Sequence, residues 1–199
     1  MALVLFLIIR TFLVEAFQIP SGSMERTLLV GDFLFVNKAA YGAQIPGTGA
    51  RLPGFAIPAR GDIVVFGYPK NPEQHYVKRV IGMPGDRISV RFEEGDPVVL
   101  LQPQGQDTTF VVDNPAWGDQ VSTATTTCCD RNGIAVGTPR TTVVPDGSYW
   151  LIGDNWGGSD DSRKFGFVRK DHIHARLNFR LLPLGSFGKV DAEVFLREP

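Results

Sequence analysis

The distribution of apolar and polar residues along the chain predicts a protein built mainly from short strands. Runs rich in Val, Ile, Phe and Thr alternate with segments rich in Gly, Pro and Asp, and the helical periodicity of the apolar positions is poor. Apolar runs bounded by turn residues are typical of strands. The pattern predicts strands at residues 28–30, 33–36, 63–66, 75–81, 98–101, 109–112, 141–144, 149–152, 165–168 and 174–182.

The N-terminal residues 1–9 are almost wholly apolar, and Arg10 ends this run. A helix of nine residues reaches only about 14 Å, less than half of a ~30 Å hydrocarbon core. A secretory signal peptide would carry a basic segment before the run and a small-residue cleavage site after it, and the sequence shows neither. We interpret residues 1–16 as the C-terminal part of a transmembrane or membrane-associated segment, with a soluble core helix as the alternative.

Charge and glycine spacing exclude two classes of partner. The formal net charge is −1 and both signs are mixed along the chain, whereas a nucleic-acid-binding protein needs a basic face or stripe. The glycine-rich loop predicted at residues 42–59 contains Gly47-Thr48-Gly49, but the spacing of a dinucleotide-binding motif fails and no helix pattern follows. Neither nucleic-acid nor nucleotide binding is predicted.

The only two cysteines, Cys128 and Cys129, are adjacent. Across a trans peptide their Cα atoms would lie ~3.8 Å apart, below the usual disulfide range. We therefore expect two unpaired thiols, with a strained vicinal disulfide as the alternative. No Cys or His lies nearby at ligand spacing, which argues against a metal site.

Residues 17–28 hold two hydroxyl side chains, Ser21 and Ser23, directly after Pro20. Proline fixes its own φ and disfavours helix at the residue before it, so this segment is predicted to run extended. An isolated Pro-Ser-Gly-Ser stretch is usually a solvated turn. Its significance depends on two later stretches.

Residues 76–86 follow a strand-like run and contain Lys78, and residues 153–163 read Gly-Asp-Asn-Trp-Gly-Gly-Ser-Asp-Asp-Ser-Arg. These three stretches, in this order and behind an apolar N-terminus, resemble the conserved boxes of the bacterial type I signal peptidases (leader peptidases). The resemblance extends from about residue 5 to residue 180 and is weakest between about residues 90 and 145.

The resemblance implies a mainly β fold of antiparallel type. A catalytic core at residues 17–86 and 146–185 would be interrupted by a small variable β domain at residues 87–145 and followed by a tail at residues 186–199. It also implies a serine endopeptidase that removes signal peptides from secreted preproteins, anchored in the cytoplasmic membrane with its catalytic domain on the outer side. Signal peptides and the lipid bilayer are the expected partners, and neither a metal nor an organic cofactor is expected.

The family's nucleophile is the serine immediately before Met, which assigns Ser23, and its general base is matched by Lys78. A lysine accepts a proton only when it is neutral, and burial against apolar neighbours lowers its pKa from about 10.4. The Ser21 hydroxyl and the Ser23 backbone N–H are expected to bind the oxyanion. Ser159 matches the family serine that orients the lysine ammonium.

The resemblance also pairs Arg79 with Asp154 and Asp161 with Arg163. These structural ion pairs would hold the lysine-bearing strand against the loop that follows Gly153. An exposed cluster of ion pairs, which contributes little to stability, is the alternative.

The family cuts after small residues at the first and third positions before the scissile bond. The substrate is expected to bind extended, beside residues 17–21 and the strand before Lys78. The family's pocket positions correspond here to Phe17, Ile19, Met24, Leu28, Leu34, Tyr76 and Val77, which are expected to line two shallow apolar pockets. Arg26 stands where most family members carry proline, so we expect a looser turn after the nucleophile.

The histidines leave two alternatives open, since His75, His172 and His174 are the only three. One of them in a Ser-His-Asp triad is conceivable, and His172 and His174 would share one face of a strand, a pattern that also suits a metal. Neither arrangement matches a catalytic position of the family. Trp156 is interpreted either as an interfacial anchor or as a packed loop residue.

Two other functions are weighed. The first is a self-cleaving Ser-Lys regulator, which the lack of a basic segment before the domain argues against. The second is an inactive, peptide-binding β domain, which would lack at least one of Ser23, Lys78 and Ser159. All three are present.

Overall fold

The computed structural model describes residues 14–42, 48, 50–93, 96–117, 128–136, 140–190 and 194–198. Its strands are β1 (Val14–Gln18), β2 (Phe33–Asn37), β3 (Ile63–Tyr68), β4 (Asn71–Gly82), β5 (Arg87–Glu93), β6 (Asp96–Gln102), β7 (Phe110–Asp113), β8 (Thr142–Val143), β9 (Ser148–Ile152), β10 (Val168–Arg169), β11 (Ile173–Leu182), β12 (Gly188–Lys189) and β13 (Phe195–Arg197). Within these residues one short α-helix, α1 (Ser162–Phe165), and 3-10 turns at Gly22–Met24, Lys170–His172 and Leu184–Ser186 complete the structure.

The described strands form two antiparallel sheets. The first has the order β1-β2-β11-β3-β4-β9-β10, with β12 paired to β11, and the second has the order β13-β7-β6-β5-β8. The prediction of a mainly β, antiparallel fold is confirmed.

The long strand β4 positions the site. Its N-terminal half is largely exposed and its C-terminal half is buried. On one side β4 pairs with β3, while on the other it pairs with β9 only through Arg79, Val80 and Gly82. The edge of residues 71–78 on the β9 side therefore has no strand partner among the described residues, so its backbone is open to an added strand.

Successive residues of β4 face different cores. Val77 lies opposite Val65 and joins an apolar cluster that also holds Met24, whereas Val80 packs with Phe66 in a second cluster on the other face. This follows from the two-residue period of a strand. A strand buried on both faces must therefore be apolar at nearly every position, unless a polar residue there has a specific partner.

The second sheet packs on the first through a shared core. Ile88 and Leu101 from the second sheet cluster with Ile81 and Trp150 from the first. The last strand, β13, pairs with β7, so residues 195–197 belong to this sheet and do not form a free tail. The division into core, inserted domain and tail otherwise stays a prediction.

Two predicted strands are wrong. Residues 28–30 lie in turns, because Thr27 N and Leu28 N both donate to Met24 O and fold the chain back after the 3-10 turn. The stretch 165–168 is divided between the end of α1 and the start of β10, since Gly166 takes φ 84° and ends the helix.

The predicted membrane segment lies mostly outside the described residues, which begin at residue 14. Residues 14–16, assigned to that segment, belong to β1 and pair with β2. Within the described ranges no helix has both the length and the apolar character needed to span a bilayer. Gly47 and Gly49 of the rejected nucleotide motif also lie outside the described residues.

Cys128 and Cys129 form a vicinal disulfide, so the expectation of two unpaired thiols is wrong. The Cα separation expected from the sequence is that of a trans peptide, and the peptide bond between the two cysteines is cis. Both residues are buried in the core shared by the two sheets, near Trp150.

Candidate active site

The turn that carries Ser23 follows β1 directly. Ser21 is extended, and Gly22–Met24 form a single 3-10 turn closed by the hydrogen bond from Glu25 N to Gly22 O. The Met24 side chain is only 1% exposed and anchors this turn in the apolar core. Ser23 is thereby held at the rim of the sheet, where its hydroxyl reaches β4.

Ser23 and Lys78, which are far apart in sequence, meet at this rim. Lys78 Nζ donates to Ser23 Oγ at 2.7 Å and to the Val77 carbonyl at 2.8 Å. The lysine is only 3% exposed. The predicted nucleophile and the predicted base are therefore within proton-transfer distance.

Burial lowers the pKa of Lys78 from 10.5 to about 8. The carboxylates of Asp161, Asp160 and Asp154 act in the opposite direction and raise the pKa in part. Because none of them forms an ion pair with this lysine among the described residues, desolvation dominates. A useful fraction of the lysine is therefore neutral and able to accept a proton near neutral pH.

Ser21 and Ser159 occupy opposite sides of this pair. Ser21 Oγ lies 3.4 Å from Ser23 Oγ on the exposed side, where it can face a developing oxyanion. Ser159 is buried, and its Oγ has no hydrogen-bond partner among the described residues. The expected hydrogen bond to Lys78 is thus not formed, and the lysine-orienting role of Ser159 stays a prediction.

Gly153 allows the loop that carries Ser159 to pack closely against the 3-10 turn at Gly22–Met24, which carries the predicted nucleophile and is named the nucleophile turn. A Cβ atom at Gly153 would lie 2.1 Å from Ser159 Oγ and 2.5 Å from the Ser23 carbonyl oxygen. Both distances are far below van der Waals contact, so only glycine fits here.

The predicted pair of Arg79 and Asp154 is formed and fully buried. The guanidinium makes a two-pronged contact with the carboxylate, at 2.8 Å from Nε and 2.6 Å from Nη2. Asp154 also accepts from Thr27 Oγ1 at 2.5 Å and from Asn114 Nδ2 at 3.1 Å. One carboxylate thus joins β4, the nucleophile turn and the second sheet.

The predicted pair of Asp161 and Arg163 is also formed, with contacts of 2.8 and 2.7 Å. Asp161 caps α1 and accepts from Gly153 N at 3.2 Å. Arg163 lies over the Trp156 ring, 4.1 Å from its centroid, and donates to the Trp156 carbonyl. Trp156 is 1% exposed, which makes it a packed loop residue and not an interfacial anchor.

A cleft of about 370 Å³ lies beside the Ser-Lys pair. Its walls come from residues 17–24 on one side and residues 74–78 on the other, with Gly158 and Asp160 at one end. Five of the seven predicted pocket residues line this cleft: Phe17, Ile19, Met24, Tyr76 and Val77. Leu28 and Leu34 do not, because both are completely buried in the apolar cluster below it.

No histidine among the described residues forms a hydrogen bond with the Ser23 hydroxyl. The recorded partners of Ser23 Oγ within the described residues are Lys78 and Ser21. His172 ends a 3-10 turn and does not lie in a strand, so the prediction that it shares one face of a strand with His174 is wrong. The described ranges contain no cluster of His, Cys, Asp or Glu suited to a metal ion.

Asn155 and Asn114 were missed from the sequence. Asn155 Nδ2 donates to the Gly22 carbonyl at 3.0 Å, and Asn155 N donates to the Ser23 carbonyl at 3.1 Å, so this residue clamps the nucleophile turn. Its position next to Asp154 was the available signal. Asn114 gave none, because it lies in the region where the family resemblance is weakest.

Arg26 takes φ 83°, the only positive φ of a non-glycine residue in the described part of the chain. The proline ring holds φ near −65°, so this turn conformation is closed to the residue that most relatives carry here. With this turn conformation Ser23 reaches Lys78, and the expectation of a looser turn stays a prediction.

The chain is similar to known proteins of one family. The family model described as "Signal peptidase, peptidase S26" matches residues 1–182. The chain is 36% identical to signal peptidase I of Pseudomonas aeruginosa over 79% of its own length and 57% of that protein's, and thus spans little more than half of this relative. It is 32% identical to signal peptidase IB of Staphylococcus aureus over 94% of its length and 87% of that protein's. A crystal structure of a signal peptidase I from Enterococcus faecalis is 26% identical, with a TM-score of 0.43 over 61% of this chain and 97% of that one.

Proposed function

This chain belongs to the signal peptidase family, peptidase S26, and on that premise we propose that it is a serine endopeptidase that removes signal peptides by a Ser23–Lys78 dyad. The observation that carries the proposal is the 2.7 Å contact between Lys78 Nζ and Ser23 Oγ, made by a lysine that is only 3% exposed. Burial of a lysine without a carboxylate partner costs stability and lowers its pKa, which is the property that a general base requires.

The proposed reaction begins when neutral Lys78 takes the proton of Ser23 Oγ. The oxygen attacks the carbonyl carbon of the scissile bond, and the developing oxyanion is stabilised by the Ser21 hydroxyl and the Ser23 backbone N–H. The Lys78 ammonium then protonates the leaving amine, which departs as the N-terminus of the mature protein. Water, deprotonated by the again neutral lysine, hydrolyses the ester on Ser23 and releases the signal peptide.

The substrate is proposed to add a strand along the open edge of β4 at residues 74–78. Phe17, Ile19, Met24 and Val77 give the cleft apolar surface, and Met24 and Val77 are themselves packed in the core. Shallow pockets with fixed walls discriminate by exclusion, so alanine fits before the cut and larger side chains clash.

We also propose that the domain works at the outer surface of the cytoplasmic membrane, in contact with lipid. Exposed apolar side chains lie on the loop before β2, on strands β2 and β11, and on the turn after β11: Leu29, Val30, Phe33, Phe35, Leu182, Leu184 and Phe187. Phe33 pairs with Leu182, and the Phe187 ring packs on Phe179, which pairs with Phe35. β1, which pairs with β2, directly follows the apolar N-terminal residues, and this continuity favours a bilayer as the occupant of the patch.

The dyad is tested by cleavage of a precursor peptide with Ala-x-Ala before the cut, in detergent, across pH. Ser23→Ala and Lys78→Ala should each lose at least about a thousandfold in rate, and His172→Ala should retain activity. If Lys78→Ala turns over while a histidine variant does not, a triad replaces the dyad. Cleavage confined to the protein's own chain supports the self-cleaving regulator, and an inert wild type supports a peptide-binding domain.

Membrane contact is tested with a fluorophore on Phe187→Cys in the full chain, bound to vesicles that carry nitroxide-labelled acyl chains. The label should be quenched by the lipid. The matched control is Phe195→Cys, which replaces an equally exposed phenylalanine of the second sheet. Equal, weak quenching at both positions would contradict the proposal.

A further inference from the structure

A second cavity, of about 280 Å³, adjoins the substrate cleft and is not used by the reaction above. Phe17 and His75 line both spaces, so the cavity continues the cleft away from the Ser-Lys pair. Its floor is apolar, formed by Val36, Val65 and Ala175, while Glu15, Lys38, Arg51 and His174 make its polar walls.

Strand geometry relates this cavity to a particular residue of an extended substrate. Glu15 and Phe17 share one face of β1, and His75 and Val77 share one face of β4, because side chains repeat every second residue. A peptide in the cleft also repeats every second residue, about 6.7 Å apart. If the first and third residues before the cut face the apolar pockets, the fifth residue faces the cavity beyond Phe17 and His75.

The charges of the cavity are unequal. Lys38 Nζ lies 3.0 Å from Glu15 Oε2, and both side chains are partly exposed, so the pair can open to another partner. Arg51 adds a second cation, held at 2.9 Å to the Ile173 carbonyl and at 3.0 Å to His174 Nδ1. His174 stays neutral near pH 7, because burial and then neighbouring cations lower its pKa to about 4. Two cations therefore face one anion.

We propose that this cavity is a third subsite, which takes the side chain of the fifth residue before the cut and prefers a carboxylate or amide oxygen there over a lysine or arginine. The inference rests on the proposed peptidase function and deepens it. Lys38 and Arg51 are specificity-determining residues in this arrangement, and neither takes part in the chemistry.

The test uses precursor peptides with alanine at the first and third positions before the cut and Glu, Gln, Leu or Lys at the fifth. The measured quantity is the ratio of kcat/KM for the Glu peptide to that for the Lys peptide. Partly exposed charge pairs contribute up to ~1 kcal/mol each, so the wild type should prefer Glu roughly fivefold to tenfold. The ratio should be highest in Glu15→Gln and should decrease through the wild type and Lys38→Gln to Lys38→Glu. In Lys38→Glu it should fall below one, so that the Lys peptide is preferred.

Two controls separate a local subsite from a general field. Lys189→Glu makes the same charge change on β12, outside the cavity, and should keep the wild-type ratio. Exchange of Glu and Lys at the fourth position, whose side chain faces the other way, should change kcat/KM less than about twofold. If Lys189→Glu shifts the ratio as much as Lys38→Glu, the subsite is overturned.

The outcomes also separate this inference from the proposed function. A ratio near one in every variant, with alanine still preferred over leucine at the first position, overturns the subsite and leaves the peptidase standing. Failure to cleave any peptide of the set overturns the proposed function and the subsite together.

Discussion

Lys78 and Arg79 are neighbours on β4, equally buried, yet their surroundings differ in one decisive respect. The Arg79 guanidinium is matched by the Asp154 carboxylate, and three further polar groups satisfy the pair or its members. Lys78, on the opposite face, meets a hydroxyl and a carbonyl but no carboxylate within ion-pairing distance among the described residues.

Burial alone therefore does not determine the role of a buried cation. An opposite charge in direct contact favours the charged form and makes Arg79 a structural element. Without such a contact, desolvation dominates and lowers the pKa of Lys78, which suits its proposed role as a base. Four predictions test this contrast between Lys78 and Arg79, and the one with the largest expected change comes first.

Removal of the Asp154 carboxylate, which pairs with Arg79, should have the largest effect on stability. Asp154→Asn leaves Arg79 buried without its counter-charge, and loss of one partner of a buried pair costs about 3–5 kcal/mol. Urea unfolding of the variant should show a loss of this size. The control is Asp160→Asn, which breaks only the exposed pair with Lys164 and should cost less than about 1 kcal/mol. Similar losses in both variants would contradict the contrast.

Removal of the buried Lys78 ammonium should stabilise the protein. The pKa of Lys78 is about 8 when folded and 10.5 when unfolded, so the unfolded chain binds more protons in that window and stability rises with pH across it. Below pH 8 the full cost is present, about 3 kcal/mol. Lys78→Met should therefore be inactive yet more stable at pH 7, by up to that amount less the lost hydrogen bonds.

This gain should shrink as the pH approaches 10.5. Urea unfolding at pH 7 and pH 10 measures it, with Lys164→Met, an exposed lysine, as the control that should show no such trend. A Lys78→Met variant less stable than the wild type at pH 7 would show that the lysine is not held at a cost.

Asn155 follows Asp154 in the chain and holds the turn that carries Ser23. Its loss should therefore lower the rate of the reaction more than it weakens substrate binding. Asn155→Ala removes the hydrogen bond to the Gly22 carbonyl and should lower kcat about tenfold with KM little changed. Asn132→Ala, an amide remote from that turn, is the control. A rise in KM alone would assign Asn155 to substrate binding and not to positioning.

The smallest effect concerns the pH profile. Below pH 8, kcat/KM should rise about tenfold per pH unit as Lys78 loses its proton, and it should level off above that pH. Asp160 raises the pKa of Lys78, so Asp160→Asn should move the midpoint down by a few tenths of a pH unit. Asp171→Asn, which breaks an exposed pair with Arg169, should leave the midpoint unchanged. A midpoint above pH 10 in the wild type would contradict the neutral base.

Most strands and the order of the catalytic stretches were predictable because both are local. Apolar runs between turn residues indicated β3, β4, β9 and β11. The strands predicted at residues 28–30 and 165–168 were wrong, and β1, β5, β12 and β13 were not predicted as strands. The pairs formed by Arg79 and Arg163 came from the family resemblance. The clamp by Asn155 and the contribution of Asn114 were not found, because each depends on a contact between distant parts of the chain.

The sequence by itself determined that Ser23 follows an extended segment, that Lys78 lies in a strand, and that Lys78 and Arg79 face opposite sides of it, since these are consequences of proline and of strand periodicity. The fold of the whole chain determined that Leu28 and Leu34 lie below the cleft and that β13 is an edge strand of the second sheet. It also decided that a cavity continues the cleft past Phe17 and His75. Burial and charge pairing depend on which distant residues pack against a position, and no local pattern encodes those contacts.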